Sequence, residues 1–332
     1  MNNSIAIIIL NWNGRKLLEE FLPSVIKYSG IADIYLADNA STDNSIAFVK
    51  EHFPQIRRIQ NKTNGGYAKG YNEALKQVDA DIFCLLNSDV EVTSNWLLPI
   101  LDEFDKRPET AIIQPKILDY KNKAYFEYAG AAGGFIDKYA YPFCRGRVFD
   151  VVEEDNGQYD DNTDIFWASG ACLFIRSEVF EKLNGFDETY FAHFEEIDLC
   201  WRAFNLDYKT RYVANSIVYH LGGGTLDKAS AKKTYLNFRN SLFSITKNAD
   251  GIIFGIIFMR LTLDGIAALT FISQWRLAHF LAVVRAHFSY YRHLPLLLGQ
   301  RKGYLKKKSN YFKIKSIVWR YFIKKTKRYQ AL

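Results

Sequence analysis

Short apolar runs alternate with amphipathic stretches through the first half of the chain. Residues 5–10 are apolar throughout, which is typical of a strand buried on both faces of a parallel sheet. The same pattern predicts strands at residues 33–37, 56–60, 81–86 and 111–114. It predicts helices at residues 16–28, 67–78 and 96–106, and a further helix that residues 41–44 cap and that ends at Phe53. Alternation at this spacing indicates a doubly wound, mostly parallel, Rossmann-like α/β sheet, in which ligands bind where the strands end.

The pattern is weaker in the second half of the chain. Residues 130–163 combine glycines, aromatic residues and an acidic run, and they predict long loops. The pattern then predicts extended segments at 164–175 and 210–219, helices at 177–183 and 195–205, and helices only from residue 228 onward. We therefore predict one domain over residues 1–225 and a helical C-terminal region over residues 226–332.

Composition narrows the class of protein. Of the 332 residues, 48% are hydrophobic and 24% are charged, which excludes a disordered or collagen-like chain. The four cysteines form no Cys-x-x-Cys pair, which argues against a zinc ribbon or a disulfide scaffold and fits a reducing compartment. The N-terminus has neither a basic flank nor a cleavage site, so we expect a first strand there and not a signal peptide.

Charge is distributed unevenly. Residues 265–332 hold 15 Lys and Arg and no acid, which leaves 28 basic against 36 acidic residues elsewhere. Residues 252–272 are apolar and nearly long enough to span a bilayer, but Arg260 and Asp264 interrupt them. We expect this part of the chain to lie on or slightly in the membrane surface, with a true span of residues 252–272 as the alternative. The cations and aromatic side chains of the tail would form an interfacial anchor on an anionic leaflet. Nucleic-acid binding and a plain solvated helical face are the alternatives for this tail.

Polar residues follow the first, second and fourth predicted strands and precede the third helix. Asp38 leaves the second strand, where it can accept hydrogen bonds from a ribose or a base. Residues 64–72, Asn-Gly-Gly-Tyr-Ala-Lys-Gly-Tyr-Asn, open a helix whose glycines let backbone N–H groups approach an anion. Asp89 and Glu91 are two apart in extended chain and can face one Mn²⁺ or Mg²⁺ ion. Each pattern taken alone also fits a structural role as a turn, a cap or a solvated loop.

Three carboxylates, Glu195, Glu196 and Asp198, lie at a predicted helix start. The helix dipole favours negative charge there, which accounts for one or two of them. The surrounding aromatic residues 190, 191 and 194 are typical of a sugar-facing wall, where a carboxylate can act as general base on an acceptor hydroxyl. His220 ends a strand beside a glycine-rich loop, on the ligand side of the sheet, although a lone histidine is more often structural.

The order of these blocks resembles the family 2 glycosyltransferases with the GT-A fold, especially their rhamnosyltransferase-like bacterial branch. The matching blocks span about residues 4–225 and read IIILNWNG, DNASTDNS, NGGYAKGYNEAL, LLNSDVEV, SGACLFIRSEVFEKLNGFDETYFAHFEEIDLCWRA and VYHLGGGT. The resemblance implies a nucleotide-diphospho-sugar donor, a divalent metal ion and inversion at the anomeric carbon. Residues 1–225 would then be the catalytic domain.

The resemblance also implies roles for individual residues. Asp89 would bind the metal ion, Glu91 and His220 are candidates for further ligands, and Glu196 would be the catalytic base. We place the donor at Asn11, Asp38, Asn39, Gly65, Gly66, Lys69, Asn72 and Ser88, and the acceptor side at Trp167, Ser169, Gly170, Glu195 and Asp198. The chain departs from the family pattern in its Glu-Glu pair and in Lys69, whose ammonium either approaches the diphosphate or is solvated.

The sequence therefore predicts an inverting, metal-dependent glycosyltransferase that builds a cell-envelope polysaccharide on a glycan or lipid-linked acceptor. We expect it in the cytoplasm, peripheral on the inner face of the cell membrane, and not on nucleic acid. Two alternatives stay open at this point. A sugar-phosphate nucleotidyltransferase shares the nucleotide-binding logic but lacks the acceptor base region, and a non-catalytic glycan-binding scaffold would not need the acids at 89, 91, 196 and 198.

Overall fold

The computed structural model describes residues 3–222, 230–303 and 307–332. The strands are β1 (Ile5–Asn11), β2 (Asp33–Asp38), β3 (Arg57–Gln60), β4 (Ile82–Asn87), β5 (Val90–Val92), β6 (Thr110–Asp119), β7 (Gly134–Ile136), β8 (Pro142–Cys144), β9 (Arg147–Val148), β10 (Val151–Val152), β11 (Thr163–Ile165), β12 (Cys172–Arg176) and β13 (Lys209–His220). The helices are α1 (Arg15–Tyr28), α2 (Ser45–His52), α3 (Gly66–Leu75), α4 (Leu98–Lys106), α5 (Ser177–Lys182), α6 (Glu195–Asn205), α7 (Ala231–Asn248), α8 (Phe254–Ser273) and α9 (Leu277–Gly303).

Nine of the strands form one sheet, in the order β11-β13-β6-β12-β4-β1-β2-β3, with β5 paired to β13. β1 lies between β2 and β4 and is parallel to both, and β3 is parallel to β2. β12 runs antiparallel to β4 and β6, and β13 is parallel to β6. The predicted doubly wound and mostly parallel sheet is confirmed. Its apolar strands are buried on both faces, because helices and the small sheet described next cover them.

The region predicted as long loops contains a second sheet. β7 to β10 form a four-stranded antiparallel sheet in the order β10-β9-β8-β7. Each of these strands has two or three residues, too few for an alternating hydrophobic pattern to appear in the sequence. The loop prediction for residues 130–163 is therefore wrong in this part.

The tail after α9 packs on this small sheet. Ile317 is fully buried, and its backbone N–H donates to Asp137 at 2.9 Å. The ring of Tyr329 stacks on Phe135 with 5.5 Å between centroids. The described tail holds only a π-helical turn, Trp319–Ile323, and a short 3₁₀ turn, so the prediction of helices alone fails for residues 307–332. Several tail aromatics thus contact protein, while Tyr304 lies outside the described residues.

Helix α8 buries the two charges that interrupt its apolar sequence. Arg260 Nε donates to Asp264 at 2.8 Å, and both side chains are buried. Arg260 also donates to the carbonyl of Tyr139, and the hydroxyl of Tyr141 donates to Asp264 at 2.9 Å. Within the described ranges, α8 is the one helix long and apolar enough to cross a membrane, by length and composition alone.

Candidate active site

The ends of β1 and β2 bring together the first two polar positions predicted from the sequence. Asn11 and Asp38 are register partners, and Nδ2 of Asn11 donates to Asp38 Oδ1 at 3.0 Å. Asp38 also accepts from the backbone N–H of Ser41 at 2.9 Å. Both side chains are fully buried, and Oδ1 of Asn11 has no hydrogen-bond partner among the described residues. A buried acceptor without a partner at this strand end is available to a ligand donor.

The glycine-rich loop joins this strand end to the predicted acceptor segment. Asn39 donates to the carbonyl of Gly66 at 3.1 Å, and the backbone N–H of Tyr67 donates to the carbonyl of Phe191 at 3.0 Å. Gly66 has a φ of +82°, and a Cβ there would lie 2.4 Å from that carbonyl oxygen. Only glycine combines this backbone conformation with so close an approach.

The other predicted donor residues differ in what they contact. Asn72 uses both ends of its amide on the backbone of Phe186, at 2.9 Å each, so it holds the segment before the glutamate pair. The side chain of Lys69 packs against Gly65, so that a Cβ added to Gly65 would lie 2.5 Å from Cδ of the lysine. The ammonium of Lys69 lies 3.6 Å from the carboxylate of Glu73. Ser88 is half-buried at the end of β4.

Antiparallel pairing of β5 with β13 brings Asp89 beside His220. Asp89 Oδ1 lies 3.2 Å from His220 Nε2, and His220 Nδ1 lies 3.5 Å from Glu127. Burial lowers the pKa of His220, but Glu127 and Asp89 outweigh it and raise the pKa to about 10. Burial raises the pKa of Asp89, and its contacts with His220 outweigh that effect and lower it. Glu127 was not predicted, because it lies in no motif and joins the site only through the fold.

Glu91 faces another direction. It is the register partner of Tyr219, and its carboxylate lies 2.5 Å from the ammonium of Lys123. In the part of the chain that the structure describes, no group of three or more His, Cys, Asp or Glu side chains is gathered for a metal ion. A carboxylate and an imidazole 3.2 Å apart still fit Mn²⁺ or Mg²⁺ as a partial donor set, which phosphate and water oxygens complete.

Glu195 and Glu196 begin helix α6 as predicted. Each has a buried Oε2 without a hydrogen-bond partner in the described structure. Burial raises the pKa of Glu196 to about 7, and burial together with the charge of Glu196 raises the pKa of Glu195 well above its ordinary value. A carboxyl group whose pKa lies near neutrality suits a general base. The segment that leads into this pair is bonded to the glycine-rich loop, because the backbone N–H of Tyr67 donates to the carbonyl of Phe191.

The segment before α6 is strained and is held from helix α7. Phe191, His193 and Phe194 have φ values of 64°, 66° and 74°, a conformation that bulky side chains rarely adopt. Nδ2 of Asn240, a fully buried residue of α7, lies 3.2 Å from the carbonyl oxygen of Tyr190, 3.0 Å from that of residue 192 and 2.6 Å from that of His193. An asparagine in the middle of a buried helix face was the only sequence signal for this contact.

Asp198 is bonded to side chains of α6, of α7 and of the segment before α6. It is fully buried and accepts from Arg202 at 2.8 Å, from Tyr190 at 3.1 Å and from Asn248 at 2.8 Å. The ammonium of Lys247 lies 2.9 Å away. These partners outweigh burial and lower the pKa of Asp198, so it stays ionised. Its contacts tie α6 to α7.

The remaining acceptor-side residues lie just before the start of β12. The indole of Trp167 is buried and donates to the carbonyl of Phe135 at 2.9 Å. Ser169 is buried, and its backbone N–H donates to Gln114 at 2.8 Å. The carbonyl of Gly170 accepts from the hydroxyl of Tyr67 at 2.9 Å. This last bond links the residues before β12 to the start of α3.

Comparison with known proteins identifies the family of the chain. A family model described as Glycosyl transferase family 2 matches residues 6–183, more than half of the chain. A relative, N-acetylglucosaminyl-diphospho-decaprenol L-rhamnosyltransferase of Mycobacterium tuberculosis, is 24% identical over 235 residues, which cover 66% of this chain and 76% of the relative.

Solved structures agree on the fold. GalNAc-T7 with UDP, GalNAc and Mn²⁺ has a TM-score of 0.64 at 14% identity, covering 97% of this chain and 57% of that protein. Mannosyltransferase PcManGT from Pyrobaculum calidifontis, in complex with GDP-Man and Mn²⁺, has a TM-score of 0.53 at 12% identity, covering 91% and 85%. These likenesses confirm the GT-A fold, and the family match removes the nucleotidyltransferase alternative. The chain belongs to glycosyl transferase family 2, a family of inverting glycosyltransferases, and is similar to a rhamnosyltransferase.

Proposed function

We propose that this protein transfers a sugar from a nucleotide-diphospho-sugar to a hydroxyl of a lipid-linked glycan in cell-envelope polysaccharide synthesis. The observation that carries the proposal is Glu196, which has a pKa near 7 and a buried, unpartnered carboxylate oxygen beside the glycine-rich loop. The relative from Mycobacterium tuberculosis is named for a lipid-diphosphate acceptor, which supports the acceptor class.

Glu196 takes the proton of the acceptor hydroxyl while that oxygen attacks the anomeric carbon of the donor. The sugar–phosphate bond breaks on the opposite face, and the nucleoside diphosphate leaves. Asn11 and Asp38 hold the nucleoside, and the positive end of the helix dipole at the start of α3 faces the phosphates. The chain supplies chiefly orientation and charge placement, because diphosphate is already a good leaving group.

Asp89 and His220 are the residues that would hold a divalent cation, Mn²⁺ or Mg²⁺. A bound cation neutralises the negative charge of the diphosphate. Because His220 has a pKa of about 10 beside two carboxylates, it must release its proton to become a ligand. Glu91 contacts Lys123 and is the weaker candidate for a third ligand.

We also propose a cytoplasmic location at the inner face of the membrane. Exposed apolar side chains on α8 and α9, among them Phe254, Leu269 and Phe288, support contact with lipid. The proposed domain boundary at residues 225 and 226 lies outside the described residues. Asn240 and Lys247 of α7 contact residues 190–198, which we call the catalytic segment. We therefore propose that α7 belongs to the catalytic unit and that α8 and α9 contact the membrane.

The test is a thermal-shift screen of nucleotide-sugars with Mn²⁺, followed by a transfer assay with the selected donor and a polyprenyl-diphosphate-linked N-acetylglucosamine. A ligand that binds only the folded protein raises its melting temperature. We expect one donor to stabilise the protein and to be consumed only when acceptor is present. Donor binding without transfer to any glycan would support the scaffold alternative.

A further inference from the structure

A groove of about 610 Å³ lies between α7 and α9. Its walls combine apolar and aromatic side chains with three cations, Lys232, Arg239 and Arg285, and none of the described residues that line it is acidic. Lys232 and Arg285 are exposed, and neither has an ion-pair partner in the described ranges. The groove therefore presents uncompensated positive charge.

The chemistry of Tyr235 reflects this charge. Its hydroxyl donates to Ser289 at 3.0 Å, and Arg239 lies 3.4 Å away. Burial raises the pKa of Tyr235, but these hydrogen bonds and the charges of Arg239 and Arg285 outweigh burial and lower it. An anionic group would be stabilised in the same place.

One wall of the groove is the catalytic segment itself. Phe191 lines the groove, and the ammonium of Lys232 lies 4.9 Å from the centre of its ring. The carbonyl of the same residue accepts from the backbone N–H of Tyr67 in the glycine-rich loop. An anion bound between α7 and α9 is therefore separated from the glycine-rich loop on the donor side by one residue, Phe191.

The other side of the groove continues into an apolar surface. Leu281 lines the groove and is 54% exposed. Leu277 and Phe288 lie within about 40° of it around α9 at 3.6 residues per turn, and they are 54% and 72% exposed. Positive charge next to the catalytic segment, followed by an exposed apolar stripe, matches an anionic head group that carries a hydrocarbon chain.

We propose that this groove binds the acceptor as a polyprenyl diphosphate, with the diphosphate between Lys232 and Arg285 and the first isoprene units along Leu281. This inference rests on the proposed function and adds to it the site at which the lipid diphosphate binds. The sugar attached to the diphosphate then extends past Phe191 toward Glu196.

The test measures binding of farnesyl diphosphate to the full-length protein by calorimetry, without donor. We expect Lys232→Ala combined with Arg285→Ala to weaken binding at least about tenfold, since two charge-assisted contacts are lost. The matched control, Lys302→Ala with Lys324→Ala, removes two exposed cations outside the groove and should bind as the unchanged protein does. Equal weakening in both double variants would mean that only net charge matters, and it would overturn the proposal.

Two further binding measurements distinguish a polyprenyl diphosphate from a phospholipid head group as the anion in the groove. Leu281→Ser should weaken the binding of farnesyl diphosphate severalfold and leave the binding of inorganic diphosphate unchanged. Vesicles of phosphatidylglycerol should displace farnesyl diphosphate no better than vesicles of phosphatidylcholine. Displacement by the anionic vesicles alone would make the groove a phospholipid head-group site and would overturn the proposal.

The binding arm also separates this inference from the proposed function. If no donor and acceptor pair gives transfer while groove-dependent binding persists, the proposed function fails and the groove assignment stands. If transfer to the lipid-linked acceptor occurs and its KM is the same in Lys232→Ala with Arg285→Ala, the groove assignment fails and the proposed function stands.

Discussion

The side-chain amide of Asn240 in α7 lies 2.6 Å from the backbone carbonyl oxygen of His193, just before the glutamate pair. The same amide also reaches the carbonyl of Tyr190, so one buried residue holds a segment with three non-glycine residues at positive φ. Helix α7 thereby holds the segment that leads to Glu196. Strain of this kind persists only where the surrounding structure compensates for it.

Replacing Asn240 by Ala should destabilise the protein and lower kcat together. The buried carbonyls lose their donor, which costs roughly 1–3 kcal/mol, and the strained segment relaxes away from its position. Urea unfolding and transfer kinetics measure the two effects. Asn237→Ala, on the same helix and without a hydrogen bond to this segment in the described structure, is the control. Full activity in Asn240→Ala would show that the segment holds its shape unaided.

Replacing Glu196 by Gln should abolish transfer while donor binding persists. The amide cannot accept the hydroxyl proton, and loss of a general base costs about 10²–10⁴ in rate. Transfer rates and the donor-induced shift in melting temperature check this. Glu178→Gln, an exposed glutamate of α5, controls for the loss of one negative charge. Normal turnover in Glu196→Gln would assign the base elsewhere, with Glu195 the next candidate.

The rate should depend on pH through Glu196. Because burial raises its pKa to about 7, kcat should rise with pH across that value as the base becomes ionised. The free energy of unfolding should instead fall as pH rises. The pKa is higher in the folded than in the unfolded state, so the contribution of Glu196 is fully present below its unfolded pKa, near 4.5, and is lost as pH rises through about 7.

Glu196→Gln isolates that contribution to stability. The variant should be more stable than the unchanged protein at pH 8 and should match it at pH 4, as measured by urea unfolding. A stability difference that does not change between the two pH values would contradict the raised pKa.

Metal dependence should follow Asp89 and not Glu91. Asp89→Asn should remove the stabilisation that Mn²⁺ adds to nucleotide-sugar binding, because it takes away one of two adjacent donors. Glu91→Gln should keep most of it, because that carboxylate contacts Lys123. Melting temperatures with donor, with and without Mn²⁺, distinguish the two. An equal loss in both variants would place Glu91 among the ligands.

Gly66→Ala should destabilise the fold by about 1–3 kcal/mol and weaken donor binding. An alanine at φ +82° is strained, and its Cβ would meet the carbonyl oxygen of Phe191. Gly255→Ala is the matched control, since a Cβ there has no neighbour within 4 Å and alanine favours the helix. If Gly66→Ala had the same free energy of unfolding as the unchanged protein, the glycine-rich loop and the segment at Phe191 would be able to move apart without loss of stability.

Most of what the sequence predicted depends on residues that are near each other in the chain. The apolar run that became β1 and the helix that begins at Glu195 have periods and caps that neighbouring residues determine. Strand ends also meet by rule, because parallel strands place their carboxyl ends on one edge, so Asn11 and Asp38 were expected together. The family blocks added roles at those same positions.

By itself, the sequence determined the sheet, the family and the strand-end residues, because local periodicity and short motifs specify them. Only the tertiary structure decided that Glu127 contacts His220, that Glu91 pairs with Lys123 and that Asn240 holds the segment before Glu196. Each of these contacts joins residues distant in the chain, and their partners depend on how strands and helices pack. Side-chain periodicity carries no record of such pairings, so the fold alone selects them.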